Sequence, residues 1–213
     1  YHFLLPSEDV VDLLVDKARF ARFAEKNGFS VPATFIISDR DDLVRALEEI
    51  RFPCFLKPRY RGEQWEKRGY PKGFRSRTRE ELISLYDKIR PAEQRCIVQE
   101  WIEGSDSELY FCRVFFDDTS RCIASFTSRK LRQWPPEAGN TSMAEPVSCP
   151  EVEKETIRLY ESLRLNGLGA VEFKRDASDK IYKIIEPCVG RAGTMAEIAT
   201  ANGVNFPLVT YAY

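Results

Sequence analysis

The chain has 213 residues, room for a sizeable core in one domain or two closely packed lobes, and carries 32 basic against 33 acidic side chains. That balance gives no global signal for nucleic acid or a membrane surface, and no apolar run approaches the roughly 20 residues that span a bilayer. Six scattered cysteines (54, 96, 112, 122, 149 and 188) lack C-x-x-C spacing, and the only histidine is His2. Zinc and a histidine triad are therefore poorly supported, and reduced thiols in a cytoplasmic protein are expected. A start without Met at Tyr1 and a stop inside a new helix after Pro207 lead to the expectation of a piece of a longer protein.

Ser7, followed by Glu8 and Asp9, opens a helix whose apolar positions Val10, Leu13, Leu14, Ala18, Phe20 and Phe23 continue to Gly28. Lys17 follows Asp16 on this helix and, taken singly, reads as a solvated residue. Val31-Pro32 leads to a short strand, Thr34–Ile37, and Ser38 with Asp41 starts a second helix from Leu43 to Ile50. Cys54-Phe55-Leu56 is an apolar strand ending in Lys57-Pro58. A lysine at the tip of a buried strand suits an anion as well as it suits plain solubility.

From Arg59 to Arg79 eight basic residues face two acids, a local excess of +6 that leaves the rest of the chain at −7. Tyr60, Trp65, Tyr70 and Phe74 are interleaved, and Gly62, Gly69 and Gly73 loosen the backbone. Such a segment could bind single-stranded nucleic acid or close as a mobile lid on a polyphosphate. Confinement of the surplus to one segment of an acidic chain favours the lid, which is expected to be poorly anchored between Arg61 and Gly73. Thr78 and Glu81 then form a capping box for a helix to Ile89.

Arg95–Glu100 reads as a strand, Trp101–Gly104 as a turn, and Glu108–Asp117 with Cys122–Ser128 as an antiparallel pair. An irregular stretch follows to Ser142, in which Arg129, Lys130 and Arg132 favour a site for an anionic group. Ser148 and Glu151 cap a helix through Leu165.

Gly167–Arg191 reads as a hairpin centred on Asp179, which sets Glu172 across from Glu186 on one face, with Val171, Phe173 and Ile185 on the other. Like charges in direct register oppose each other by roughly 0.2–1 kcal/mol. Either the pair is exposed on an edge hairpin or it shares a cation, and hard oxygen ligands favour magnesium. Pro187 to Arg191 reads as an irregular loop, and a capping box at Thr194 and Glu197 brings Arg191 near the positive end of a helix. The expected class is α+β, with mixed or antiparallel sheets, in two lobes (1–100 and 101–213) that meet near Glu100–Gly104.

These pieces in this order resemble the ATP-grasp superfamily. Asp16-Lys17 before Gly28-Phe-Ser-Val-Pro32 is similar to that family's first helix, and Phe55-Leu-Lys57-Pro to its phosphate-holding strand. Val98-Gln-Glu-Trp-Ile102-Glu-Gly104 is similar to its adenine hinge. The resemblance implies two lobes clasping ATP, with Lys17, Lys57 and a lid lysine, Lys72, on the phosphates. It also implies Gln99, Glu100, Trp101 and Ile102 at the base, and Glu108 at the ribose, with Asp106 as a competitor. Glu172 and Glu186 would hold magnesium. Where the family has Glu-x-Asn-x-Arg, this chain has Glu186-Pro-Cys188-Val-Gly-Arg191, and a cysteine is a poor magnesium ligand.

The Arg129-to-Gly139 segment resembles, more loosely, ligases of the D-aspartate ligase-like, surface-polysaccharide-associated kind, which carry an α/β domain before the grasp. The implied activity is ATP-dependent joining of a small-molecule carboxylate to an amine through an acylphosphate, with Arg191, Lys130 and Arg129 as the catalytic cations. A degenerate nucleotide-binding module without ligase activity is the alternative. No nucleic-acid or membrane partner is implied, and a homodimer is admitted.

Overall fold

Two antiparallel sheets organise the computed structural model, which describes residues 4–191, 193 and 196–213. The first contains β1 (Thr34–Ile37), β2 (Cys54–Pro58), β3 (Phe74–Ser76) and β4 (Cys96–Glu100) in the order β1-β4-β2-β3. The second contains β5 (Leu109–Phe116), β6 (Cys122–Trp134), β7 (Asn140–Pro146), β8 (Gly167–Arg175) and β9 (Tyr182–Val189) in the order β7-β6-β5-β8-β9. Every pairing described is antiparallel. Helices α3 (Arg40–Glu49) and α5 (Arg79–Ile89) place Leu43, Leu47, Leu82 and Tyr86 against Leu56 and Val98 of the first sheet.

The second sheet is covered on both faces. One core joins Cys112, Val114, Val171, Phe173 and Ile184 to helix α6 (Pro150–Ser162) and to Leu14, Phe20 and Ala24 from the start of the chain. A smaller cluster gathers Phe115 with Ala199 and Phe206. The last two belong to the short C-terminal helices over 196–201 and 206–212. The sheets divide where the sequence suggests, between Glu100 and Leu109, but the first two helices pack into the core built on the second sheet.

The helix expected from Ser7 to Gly28 is two helices, α1 (Glu8–Val15) and α2 (Lys17–Lys26), broken at Asp16. Asp16 is fully buried and extended, and its Oδ1 accepts hydrogen bonds from the Ala18 and Arg19 amides, capping α2. Its carboxylate also takes Arg59 in a forked ion pair and the Tyr60 hydroxyl at 2.6 Å. Burial pushes this carboxyl up, but the bonds from Arg59, Tyr60 and the two amides outweigh it and hold the group well below the usual carboxylate range. Continuous apolar spacing hides such a break, because a cap inside a helical pattern carries no change of period.

Other boundaries shift for local reasons. Asp39, one residue past Ser38, caps α3 by accepting from the Asp42 amide, while the Ser38 amide donates to Asp42. Cys149 rather than Ser148 precedes α6, which begins with Pro150, a residue suited to a first turn because it lacks the amide hydrogen. Thr78 caps α5 as expected, accepting from the Glu81 amide, but Glu81 reaches back to Arg77. The stretch expected to be irregular between Arg129 and Ser142 is a long hairpin, β6–β7, and β9 runs through Pro187 and Cys188 instead of ending at Glu186. The capping box expected at Thr194 lies outside the described residues.

The basic segment is also more structured than its composition implies. It holds a short helix, α4 (Glu63–Lys67), as well as β3. Trp65 is 1% exposed, donates its indole N–H to the Pro71 carbonyl at 2.8 Å, and meets Tyr70 and Phe74 edge-on. The expectation of few apolar anchors is corrected by this cluster: the interleaved aromatics pack inward and the arginines and lysines are left at the surface.

Removing the Asp16 carboxylate strips a cap from α2 and leaves Arg59 without its partner. Asp16→Ala should cost about 3 kcal/mol in denaturant unfolding, and Asp16→Asn, which keeps an acceptor for the cap, should cost less. Because the folded carboxyl titrates below its ordinary value of 3.8, its contribution is complete above that pH and is lost as pH falls through the acid range. Equal losses in the two variants would remove capping from the account.

Candidate functional site

The two sheets face each other across a cleft of about 380 Å³ whose floor is the connection from β4 to β5. β2 supplies Phe55 and Lys57, β4 supplies Gln99 and Glu100, and the connection supplies Trp101 and Ile102. From the opposite sheet come Leu109, Gln133, Glu172, Lys174, Ile185 and Glu186. A second cavity of about 500 Å³ continues past Lys57 toward α1 and α2, and Lys17, Lys57, Arg61, Gln99, Glu186 and Arg191 border both.

Glu172 and Glu186 are direct partners across β8–β9, as the hairpin reading expects. The register slips by one residue beside them, so that Phe173 faces Ile184 instead of Ile185. This bulge is the reason that Ile184, 1% exposed, enters the core while Ile185 lines the cleft, the reverse of the expected placement. Beyond Glu186 the register holds. Cys188 lies opposite Ala170, on the same face as Glu186, and lines the second cavity. Burial pushes its thiol up, as do Glu186 and Glu172, with Arg191 pulling the other way.

Lys57 sits at the join of the two cavities, 9% exposed, with no hydrogen bond or ion pair to a described residue. Burial pushes its ammonium down to about 8, against the pull of Glu186 and Glu172 and with a further push from Lys17. Lys72 reaches across the mouth to the Gly139 carbonyl at 3.4 Å. Beside it Arg75 pairs with Glu137 at 2.9 Å, so the tip of β6–β7 touches the basic segment. Gly139 is the residue that permits this tip, since a Cβ there would fall 2.1 Å from the Pro135 carbonyl oxygen.

The hinge is tied down from both sides. Trp101 donates its amide to the Pro53 carbonyl and lies under the Arg75 guanidinium at 4.5 Å and the Lys174 ammonium at 5.2 Å. Lys183 joins Asp176 at 2.8 Å to Glu100 at 3.8 Å, and the Ala177 amide donates to the Glu103 carbonyl. The Asp176 carboxyl, pushed up by burial, is held down at about 2 by Lys183 and Ser178.

Of the residues singled out in the sequence, Lys17, Lys57, Lys72, Gln99, Glu100, Trp101, Ile102, Glu172, Glu186 and Arg191 are brought to one cleft. Lys130 is 2% exposed and behind it, donating to Glu172 Oε1 at 3.0 Å. Two residues are not brought there. Arg129 points along the β6–β7 pair to Glu145, its register partner, and borders neither cavity. Glu108 closes a single helical turn over 106–108 and borders neither cavity, and Asp106 accepts a bond from Gln133.

Arg61, Gln133 and Lys174 line the cleft without having been singled out as site residues. The period-2 signal for Lys174 was available, because it stands two residues after Glu172 on β8. Gln133 carried no such signal, because the strand that presents it extends past the expected end.

Among the described residues no group of three or more histidine, cysteine, aspartate or glutamate side chains is placed to hold a metal. The facing glutamates do offer the hard oxygens magnesium takes, and phosphate oxygens and water complete such a shell in nucleotide sites.

No protein-family model matches the chain. It is similar to the C-terminal section of the carbamoyl phosphate synthase large chain of Methanopyrus kandleri, at 24% identity over 204 residues, covering 92% of this chain and 36% of that protein. It spans only 19% of the large chain from Neisseria meningitidis serogroup B, at 22% identity. Among solved structures it superposes on biotin carboxylase from Campylobacter jejuni, in a β,γ-ATP complex, with a TM-score of 0.78 and 15% identity over 99% of this chain and 49% of that one. D-alanine–D-alanine ligase from Bacillus anthracis, complexed with ATP, gives 0.69 and 16% identity over 94% and 64%. This chain has the ATP-grasp fold.

A buried lysine with no carboxylate at bonding distance burdens the fold. The folded chain binds fewer protons than the unfolded one between about pH 8 and the ordinary lysine value of 10.5, so this contribution to stability rises with pH across that window. Lys57→Met should therefore stabilise the protein at pH 7, by roughly 1–3 kcal/mol, with the advantage shrinking as pH passes through 8. Denaturant titrations of both proteins at several pH values would show it; a less stable methionine variant would mean that Lys57 has a compensating partner.

Proposed function

We propose that this chain is the nucleotide-clasping part of an ATP-dependent ligase that joins a carboxylate to an amine. The observation that carries the reading is the join at Lys57. A buried lysine there meets two facing glutamates, Lys17 and Arg191, where one cavity ends at the hinge and another continues beyond it. One cavity then takes ATP, with its base toward Trp101 and Ile102 and its phosphates toward Lys57, Lys17 and Lys72. The other receives the substrate carboxylate at Arg191.

Phosphoryl transfer asks little covalent work of a protein; it asks for neutralised oxygens and aligned reactants. Lys57 and Lys17 bear on the phosphates, Arg191 orients the carboxylate, and the Lys72–Gly139 and Arg75–Glu137 contacts close the mouth against water. Magnesium bound between Glu172 and Glu186 supplies further charge neutralisation. The carboxylate activated by ATP is then open to attack by the amine, with phosphate leaving.

The resemblance of Arg129–Gly139 to D-aspartate ligase-like enzymes supports a small amino-acid-type substrate, and the position of that segment at the cleft mouth is consistent with it. The second reading, a nucleotide-binding module without ligase activity, is favoured by Cys188, a soft sulfur beside Glu186 where a hard oxygen is expected.

Titration calorimetry with Mg-ATP should give saturable binding that Lys57→Met weakens at least tenfold. Bound phosphate raises the depressed Lys57 value, so at pH 8.5 binding should take up protons, seen as heats that change with buffer ionisation enthalpy. No binding in any buffer overturns the nucleotide reading. ADP release by the full-length protein, screened over carboxylate and amine pairs, should vanish in Glu186→Gln. Binding without release in any pair would favour the silent module.

A further inference from the structure

Lys130 is a fully enclosed cation standing on the far side of Glu172 from the cleft. Its ammonium donates to Glu172 Oε1 at 3.0 Å and to Gln133 Oε1 at 3.1 Å, and lies 5.2 Å from the centre of the Phe111 ring. β6 and β8 both flank β5, so the lysine and the glutamate are fixed by the two strands on either side of Phe111. Gln133 is itself held, donating to Asp106. Two neutral contacts and one ionic contact orient this ammonium on a rigid sheet, unlike the rim lysines of the basic segment.

We propose that Lys130 is a resident cation of the carboxylate pair, standing where a second divalent ion would otherwise take Glu172, so that nucleotide enters with one metal ion. The inference rests on the nucleotide reading given above. A divalent ion sharing both carboxylates with a partner ion needs every oxygen of the pair, and two such ions sit about 3.5–4 Å apart. Here Oε1 of Glu172 is already engaged by a positive charge that cannot leave without abandoning a buried site. What remains is Glu172 Oε2 and the Glu186 carboxylate, which suit one octahedral ion with water and phosphate completing its shell. Cys188 adds nothing for a second ion, because its sulfur is soft and burial keeps it protonated. The single positive charge of Lys130 thus does permanently what a second metal would do only when bound, and position 188 is released from offering a hard oxygen.

The test counts metal. Mn²⁺ stands in for Mg²⁺, and bound Mn²⁺ is measured by electron paramagnetic resonance on the full-length protein saturated with a non-hydrolysable ATP analogue, whose own binding is followed separately by calorimetry. The wild type should hold one Mn²⁺ per bound nucleotide, and Lys130→Met, which preserves volume and frees Glu172 Oε1, should hold two. Two ions in the wild type would overturn the inference, with Lys130 then a placeholder displaced by metal. One ion in both proteins would also overturn it. If the methionine variant does not fold, the wild-type count decides alone. Analogue that fails to bind with or without Mn²⁺ overturns the nucleotide reading, and the inference with it.

Discussion

The buried carboxylate of Asp16 is the constraint on which the site depends. It caps α2, which belongs to the core of the second sheet, and it grips Arg59 and Tyr60, which follow directly on β2 of the first. Lys17 is the next residue on one side of this tie, and Lys57 is two residues before it on the other. One fully desolvated anion therefore sets the spacing of two lysines that come from different layers of the molecule. Truncating an ion of this kind costs more than the pair contributes over apolar neighbours, because its partner is left stranded, so the arrangement tolerates little variation.

The remaining connections between the sheets share a pattern. At the hinge, Lys183 links Glu100 to Asp176, and backbone bonds join Ala177 to Glu103 and Ile184 to Ser30. At the mouth, side chains that retain substantial exposure make the contacts, as in Arg75–Glu137. Contacts of the second sort are screened and individually weak, near 0–1 kcal/mol, whereas those at the hinge are buried and interlocked. The cleft is thus rigid at its floor and loosely latched at its opening, as expected of a site that must admit and release a polyanion.

Much of this was legible beforehand, and the failures have physical reasons. Glu172 and Glu186 were paired correctly because strand period and turn position fix register with simple arithmetic. The bulge at Ile185 escaped because an extra residue in one strand leaves the apolar pattern plausible either way. The break at Asp16 was invisible to periodicity, and its partner Arg59 is 43 residues away. Arg129 and Lys130 looked alike as neighbouring cations, yet alternation along β6 sends one to Glu145 at the strand pair's surface and the other inward to Glu172. Composition misled for residues 59–79, where the arginines and lysines dominate the count but Trp65 dominates the packing.

The charge division along the chain has a kinetic meaning as well as a structural one. An excess of +6 over 21 consecutive residues, set against −7 elsewhere, makes the molecule an electrical dipole with its positive pole at the cleft's rim. Trp65 and its aromatic neighbours hold that pole in place, so it can act on an approaching anion before any contact forms. At physiological ionic strength such a field reaches only about 8 Å, so it governs the last layers of water crossed and the orientation of arrival. Capture by the rim and retention by the buried lysine are then separate quantities, the first sensitive to salt and the second largely sheltered from it.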